Sequence, residues 1–192
     1  MQNKSKRKQR EEMNMKQEIN VFDHAHEIMN ALKSGILLTT KADDKVNSMS
    51  ISWGTLGIEW GKPIFTVFVR ENRYTRSMLE KNPEFTINIP CGSFDKKIIG
   101  YCGSKSGRNV DKIKDLNLTL EESDEISVPG IKQLPLTLEC KVLYKQMQDK
   151  DAIPQEIKDD CYPQDVDSSA PLANKDFHVA YYAEIVKAYI IK

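Results

Sequence analysis

The stretch from residue 47 to residue 54 constrains the fold most, because small hydroxyl side chains alternate along it with larger ones. Its odd positions are Asn47, Met49, Ile51 and Trp53, and its even positions are Ser48, Ser50, Ser52 and Gly54. A period of two predicts a β-strand, whose successive side chains point to opposite faces. Serine fills a core poorly, so a serine face leaves room for a flat or polar group against the strand. The same pattern also fits a strand whose serines are merely exposed to solvent.

A second informative segment places three arginines around the expected start of a short helix. Arg70, Arg73 and Arg76 surround Tyr74 and Thr75, and Thr75 is a suitable N-cap residue. Helix N-termini attract anions, and arginine binds phosphate through paired hydrogen bonds. The segment therefore predicts an anion site. Under the alternative interpretation, Arg76 is a solvated helix residue and Thr75 only a cap.

Hydrophobic periodicity predicts a mainly β chain. Val21 to Leu32 has helical spacing, and strands are expected at residues 36–41, 47–54, 64–69, 85–89, 136–144 and 177–189. The short connections favour an antiparallel arrangement, and the total of about six strands with helices between them predicts a small closed barrel with peripheral helices. We expect residues 1–20 to be a polar, flexible extension and residues 21–192 to form one domain. Residues 149–175 are polar, with one helical turn expected around Glu156.

Charge and cysteine content disfavour several functional classes. Lysine plus arginine and aspartate plus glutamate are equal at 28 each, which disfavours a nucleic-acid-binding protein. No apolar run approaches the roughly 18 residues of a membrane span, and no secretory leader is recognisable. The four cysteines form no C-x-x-C pair, so we expect free thiols, no metal site and a cytoplasmic location.

The two informative segments together suit flavin mononucleotide (FMN). Its phosphate needs arginine and hydroxyl groups, its ribityl chain needs small polar partners, and its ring needs a flat, partly apolar wall. The arginines can bind the phosphate and the serines can contact the ribityl chain, while Trp53, Met49 and Tyr74 could flank the ring. Tryptophan is also a common anchor in protein cores and interfaces, and a purely structural role therefore stays open for Trp53.

The ordered set of motifs resembles one known family, the flavin reductase-like proteins of the flavoredoxin type, which are FMN-binding split barrels. The resemblance covers about residues 20 to 192 and rests on Asn47-x-Met49-Ser50-Ile51-Ser52-Trp53-Gly54, on Gly57, Trp60 and Pro63, on Val69-Arg70-x-x-Arg73-Tyr74-Thr75, on Phe85-Thr86-Ile87-Asn88, on Gly100 to Arg108 with Asp111-Lys112, and on Ala183-Glu184-Ile185.

This resemblance implies an antiparallel, Greek-key-like split β-barrel that forms a homodimer and binds FMN non-covalently near the dimer interface. Carried over by position, the cofactor-binding residues are Asn47, Ser48, Met49, Ser50, Ile51, Ser52 and Trp53 for the ribityl chain and ring, Arg70, Arg73, Tyr74 and Thr75 for the phosphate end, and Asn88, Ser104, Ser106 and Gly107 as further contacts. It assigns no catalytic residue.

The implied function is electron transfer from NADH or NADPH, or from a redox partner, through FMN to an acceptor. No G-x-G-x-x-G motif follows a strand, so a nicotinamide donor would bind transiently in the open cleft. Three alternatives remain at this point: an FMN electron carrier that receives electrons from a protein, a dimeric barrel without cofactor, and a barrel similar to pyridoxamine-phosphate oxidases.

Overall fold

The computed structural model of the protein describes residues 16–165, 167 and 175–192. The strands are β1 (Lys16–Glu18), β2 (Ile36–Ala42), β3 (Lys45–Ile51), β4 (Gly54–Glu59), β5 (Lys62–Arg70), β6 (Glu84–Ile89), β7 (Leu120–Glu121), β8 (Gly130–Ile131), β9 (Leu136–Met147) and β10 (His178–Ile191). The helices are a 3-10 turn (Val21–His24), α1 (Ala25–Ser34), α2 (Tyr74–Leu79), α3 (Lys97–Ser104), α4 (Lys112–Asp115) and α5 (Gln155–Cys161).

One antiparallel sheet carries the fold. Its order is β3-β2-β6-β9-β10-β5-β4, and β1 pairs with the far end of β10 beyond β5. β10 therefore has three neighbours, namely β9, β5 and β1. The mainly β, antiparallel prediction is confirmed.

The sheet encloses the main hydrophobic core. Phe65, Phe85 and Tyr181 are almost completely buried within it. A second cluster, which includes Leu37, Ile98 and Cys102, packs α3 against the outer face of β2. α3 therefore covers the outer face of β2. This packing holds α3 and the loop after it beside β3, where the candidate site lies.

The predicted strand at residues 47–54 is wrong in one respect, because it is two strands rather than one. β3 ends at Ile51, Ser52 and Trp53 form a bend, and the chain then pairs with β5 as β4. A side chain at Gly54 would come within 3.0 Å of the Thr66 carbonyl oxygen, so glycine permits this close approach. The largely exposed β4 carries little hydrophobic alternation, which is why its pattern did not predict a strand.

Both tight hairpins use left-handed backbone. Asp43 and Asp44 connect β2 to β3 with φ values of 49° and 59°. Trp60 and Gly61 connect β4 to β5 with φ values of 52° and 70°. Consecutive residues with positive φ match the twist of a two-residue β-hairpin.

Two local predictions need correction. Thr75 does not cap α2, because the helix begins at Tyr74 and its N-cap is Arg73, which makes no capping side-chain bond. Lys16 to Glu18 belong to the sheet through β1, although the sequence predicts an extension to residue 20. Residues 1–15 of that extension lie outside the described part of the chain. Within the described residues, no helix has the length and apolar character needed to span a bilayer.

Candidate functional site

Two adjoining cavities follow β3 along one side of the barrel. The basic cavity, of about 240 Å³, is lined by Asn47, Met49, Ser50, Asn72, Arg73, Tyr74, Thr75, Cys102, Gly103, Ser104, Lys105, Ser106, Gly107, Arg108 and Lys112. The aromatic cavity, of about 180 Å³, is lined by Met49, Ser50, Ile51, Ser52, Trp53, Phe68, Arg70, Arg73 and His178. The two share Met49, Ser50 and Arg73, so they lie side by side along β3, and together they are called the groove.

β3 positions the floor of the basic cavity through side-chain bonds to the elements around it. Asn47 Nδ2 donates a hydrogen bond to Thr75 Oγ1 at 3.1 Å, which ties β3 to α2. Ser50 Oγ donates to the carbonyl oxygen of Ile99 at 3.0 Å, which ties β3 to α3. Both polar side chains are thus fixed where the groove passes between the helices.

The loop after α3 closes over this floor at Gly107. A β-carbon placed on Gly107 would lie 2.0 Å from Asn47 Oδ1 and 3.0 Å from Tyr74 Cδ1, so only glycine fits. Lys45 Nζ donates to the Gly107 carbonyl oxygen at 2.7 Å. Its ammonium group also lies 5.0 Å from the centre of the Tyr74 ring, and the Arg108 guanidinium lies 5.4 Å from it. These contacts hold the loop against α2.

Lys112 is the most informative residue of the basic cavity. Its side chain is buried, with 4% of the residue exposed. Nζ donates to the carbonyl oxygens of Ser48 at 2.9 Å and Cys102 at 2.8 Å. An ammonium group has three donors, so these two bonds leave capacity for a ligand. Burial lowers the pKa of Lys112, and an anion beside it would relieve that desolvation.

The charge of the basic cavity is one-sided. Its described lining contains the cations Arg73, Lys105, Arg108 and Lys112 and includes no aspartate or glutamate. Hydroxyl groups of Ser50, Thr75, Ser104 and Ser106 and the Asn47 amide lie among them. Such a lining can bind a compact anion through charge-assisted hydrogen bonds.

The aromatic cavity is bounded by flat side chains. The rings of Trp53 and His178 lie 5.0 Å apart between their centres at an angle of 43°. Phe68 and Met49 also line this cavity. Trp53 is 43% exposed, so it forms the outer lip of the groove. This end can accept a planar, partly apolar group.

Arg70 lies at the aromatic end, where its guanidinium supports the wall. Nη1 donates to the Asp176 carbonyl oxygen at 2.6 Å, and Nη2 donates to the Cys161 carbonyl oxygen at 2.8 Å. The guanidinium also lies 5.0 Å from the centre of the Tyr162 ring. Burial lowers the pKa of Arg70. These bonds fasten the segment after β9, including α5, to the groove.

His178 begins β10 and is buried, with 6% of the residue exposed. Its Nδ1 lies 2.8 Å from the hydroxyl oxygen of Tyr162. Burial, and secondarily the positive charges of Arg70 and Arg73, lower the pKa of His178 to about 4 against the opposing effect of Asp176. The imidazole is therefore neutral at pH 7.

We expect this histidine to make the free energy of unfolding depend on pH. Its pKa is lowered from 6.5 to about 4 on folding, so between these values the unfolded chain binds more protons. Stability is full above pH 6.5 and falls as the pH drops toward 4, by a contribution on the order of 2 kcal/mol. Urea unfolding measured across this range should show a flatter pH dependence for His178→Asn. An unchanged slope would contradict the neutral, buried imidazole.

The structure brings most of the predicted site residues together. Those in the groove are Asn47, Met49, Ser50, Ile51, Ser52, Trp53, Arg70, Arg73, Tyr74, Thr75, Ser104, Ser106 and Gly107. Ser48, in β3, and Asn88, in β6, line neither cavity and are fully buried. Thr39 Oγ1 lies 2.8 Å from Ser48 Oγ and donates to Asn88 Oδ1 at 2.8 Å. This buried polar network supports the floor of the groove from below.

Eight groove residues are absent from the predicted set, namely Phe68, Asn72, Cys102, Gly103, Lys105, Arg108, Lys112 and His178. Lys112 and Arg108 belong to quoted motifs, but a cation in a polar run gives no sign that it will be buried. His178 and Phe68 fall in the strands expected at residues 177–189 and 64–69. Neither carries a local signal, since β3 lies at one end of the sheet order and β10 and β5 lie near the other. Only the closure of the sheet into a barrel brings these strands together.

A third and larger cavity, of about 470 Å³, adjoins the aromatic end. It lies between α1 and the bend, and its walls include Met29, Leu32, Trp53 and Phe68. It shares Ser52, Trp53 and Phe68 with the aromatic cavity. Its size exceeds that of either part of the groove, but its lining offers Lys33 and His26 rather than a ring of cations. It is an apolar continuation of the groove.

The chain was compared with known proteins. The family model described as the flavin reductase like domain matches residues 29–191. An uncharacterized protein of Archaeoglobus fulgidus is 31% identical over 100 residues, which are 52% of this chain. The match covers 55% of that relative, so the chain spans about half the length of the curated protein that it matches.

Solved structures share the fold. Flavoredoxin from Methanosarcina acetivorans superposes with a TM-score of 0.60 at 24% identity, covering 82% of this chain and 68% of that one. An FMN-binding domain of a flavin reductases-like enzyme from Shewanella baltica superposes with a TM-score of 0.61 at 17% identity, covering 92% and 77%. The split-barrel prediction is confirmed. Since the family model covers most of the sequence, the chain belongs to the flavin reductase-like family.

Proposed function

We propose that the groove binds FMN and that the protein transfers electrons through it. The observation that carries this proposal is that a cation-lined cavity lies directly beside an aromatic one along β3. FMN has the same polarity along its length, from a phosphate through a hydroxylated chain to a planar ring. The names of similar structures, a flavoredoxin and an FMN-binding domain, support the same cofactor.

The donors in the groove fit this cofactor. Arg73, Arg108 and Lys112 would hold the phosphate, with hydroxyl groups of Thr75 and Ser106 nearby. The two cavities together have the size of a typical cofactor site, whose lower limit is roughly 300 Å³. Gly103 and Gly107 keep the path open, because β-carbons there would press on Ser50 and Asn47.

The remaining predicted contacts divide along the groove. Asn47, Met49 and Ser50 would line the ribityl chain, since they face the basic cavity or the junction. Ile51, Ser52 and Trp53 would border the ring, with Arg70 behind them. Tyr74, Ser104 and Gly107 would enclose the phosphate end. Ser48 and Asn88 would act only by supporting β3.

The chain's own groups perform binding and orientation. When bound, FMN supplies the redox chemistry, accepting electrons from a donor and passing them to an acceptor. The basic cavity anchors the phosphate, the hydroxyl groups orient the ribityl chain, and Trp53 limits access to the ring. NADH or NADPH is the proposed donor, and the third cavity gives a second reactant an apolar place beside the aromatic end.

We also propose that the protein is a homodimer in the cytoplasm. Ile58 and Trp60, at the tip of the β4–β5 hairpin, are 71% and 57% exposed, and Tyr144 and Met147 on β9 are also exposed. Large apolar side chains left on a surface favour association. Light scattering of the purified protein should give about twice the monomer mass, and a monomeric mass would contradict this assembly.

An absorbance spectrum recorded before and after addition of FMN and desalting tests the proposed cofactor. Retained visible flavin bands would support FMN binding, and a flat spectrum would overturn it. Bleaching of the retained bands by NADH or NADPH under anaerobic conditions would support the reductase function. A flavin that only a protein donor reduces would instead indicate an electron carrier.

Arg70→Met should weaken FMN and riboflavin binding to the same degree. Arg70 binds the Asp176 and Cys161 carbonyl oxygens rather than the basic cavity, so its loss would loosen the aromatic wall that both ligands share. The affinity for each ligand should fall roughly tenfold, the loss expected when one pair of charge-assisted hydrogen bonds is removed. Titration of flavin fluorescence gives both constants. A loss restricted to FMN would show instead that Arg70 holds the phosphate.

A further inference from the structure

In the segment between β9 and β10, Tyr162 contacts His178, which lines the aromatic cavity. Tyr162 follows α5 and is buried, with 3% exposed. Its ring stacks on Phe177, with centres 4.5 Å apart and an angle of 11°. Its hydroxyl group lies between Gln148 Oε1, at 2.9 Å, and His178 Nδ1, at 2.8 Å.

The direction of these hydrogen bonds follows from the backbone. The His178 N–H donates to Gln148 Oε1 at 3.2 Å, so the atom facing it must be the amide oxygen. That oxygen carries no proton, so the Tyr162 hydroxyl must donate to it. The single Tyr162 proton is then used, and the phenolic oxygen can only accept from His178 Nδ1. Nδ1 therefore carries the proton of the neutral imidazole.

The other ring nitrogen is left with a lone pair. His178 lines the aromatic cavity beside Trp53. Among the described residues, Nε2 has no hydrogen-bond partner. Arg70 and Arg73 face the ring from β5 and the start of α2, and Asp176 faces it from the preceding segment. A second proton at Nε2 would meet the two cations in a buried site, so Nε2 remains an acceptor.

We propose that Tyr162 is a positioning residue that fixes His178 in its Nδ1–H tautomer, so that Nε2 accepts a hydrogen bond from an N–H group of the ligand in the aromatic cavity. The inference rests on the proposed function for the identity of that ligand. It gives Gln148 and Tyr162, which follow β9, a role at the groove, because their hydrogen bonds set which nitrogen of His178 is the acceptor. Without the hydrogen bonds that join His178 Nδ1 to Tyr162 and Tyr162 to Gln148, Nε2 of the same histidine could carry the proton and act as a donor instead.

The tautomer can be measured directly on the protein without ligand. In ¹⁵N-labelled protein, long-range proton–nitrogen spectra separate protonated from bare ring nitrogens, and His178→Asn identifies the signals of His178. The wild type should show protonated Nδ1 and bare Nε2. Tyr162→Phe keeps the stacked ring but removes the acceptor, and should give a mixture of tautomers. Tyr144→Phe, an exposed tyrosine on β9, is the matched control and should change nothing.

Protonated Nε2 in the wild type, or an unchanged tautomer in Tyr162→Phe, would overturn the proposal. Addition of FMN, and then of NADH, should shift the Nε2 resonance when the ligand that supplies the N–H group enters. A shift with FMN identifies the flavin as that donor, and a shift only with NADH identifies the second reactant. If FMN binds and neither addition moves the resonance, the acceptor role is wrong. If FMN fails to bind, the proposed function is wrong. The tautomer measurement, which needs no ligand, then still decides whether Tyr162 fixes the tautomer of His178.

Discussion

Gly107→Val should abolish tight FMN binding while leaving the barrel folded. A β-carbon at this position would lie 2.0 Å from Asn47 Oδ1 and 3.0 Å from the Tyr74 ring, so the loop must move away from β3 and α2. Overpacking of this kind costs about 1–3 kcal/mol, and the displaced loop carries Ser106 and Arg108 away from the phosphate. We expect the FMN dissociation constant to rise roughly 100-fold, measured by flavin fluorescence.

Gly100→Ala is the matched control for this variant. Gly100 lies in α3, close in sequence to the same loop, but its β-carbon would meet no atom within 4 Å. Alanine favours a helix over glycine by roughly 1 kcal/mol, so affinity should persist and the melting temperature should not fall. Circular dichroism should show native β-structure in both variants. Wild-type affinity in Gly107→Val would refute the closed loop as part of the site.

Lys112→Met should separate FMN from riboflavin. The variant keeps the buried aliphatic volume but removes the ammonium group on the floor of the basic cavity, so only a ligand with a phosphate loses a partner. A charge-assisted hydrogen bond contributes about 1.5–3 kcal/mol, which corresponds to roughly a 10- to 100-fold weaker FMN affinity. Riboflavin affinity should change little.

Lys114→Met is the control for this charge. Lys114 lies two residues away in α4 and is exposed, so its removal alters the net charge equally without touching the cavity. Its FMN affinity should match the wild type. Equal losses for FMN and riboflavin in Lys112→Met would show that the lysine only supports the fold, through its bonds to the Ser48 and Cys102 carbonyl oxygens.

Much of this architecture follows from local pattern. The alternation in β6 and β9 and the helical spacing before Gly35 predict their elements, since each buries one apolar face against the core. β4 and β1 escape prediction because their stability comes from pairing with β5 and β10 and not from burial of their own side chains. The N-cap prediction for Thr75 is wrong because the helix already begins at Tyr74, and the Thr75 hydroxyl group accepts from Asn47, a partner 28 residues away.

The candidate site likewise contains residues that the sequence predicts and residues that it does not. Residues of β3, and Ser104, Ser106 and Gly107 at the end of α3 and in the loop after it, could be found from the sequence, because each set is contiguous in a recognisable motif. Lys112 and His178 could not, since burial changes their roles and burial is a property of the fold. Ser48 illustrates the converse case: the alternating pattern placed it with Ser50, but Thr39 across the hairpin draws its hydroxyl group into the interior.

The position of β10 in the sheet has a consequence for synthesis. β1, β5 and β9 all pair with it, and it follows every one of them along the chain. During translation these three strands are synthesised before β10 and lack it as a pairing partner. Lys16, for example, stays unpaired until its partner Ile191 has been synthesised. Such distant pairing slows folding and leaves sheet edges open to association. The nascent chain is therefore most vulnerable to aggregation before β10 leaves the ribosome.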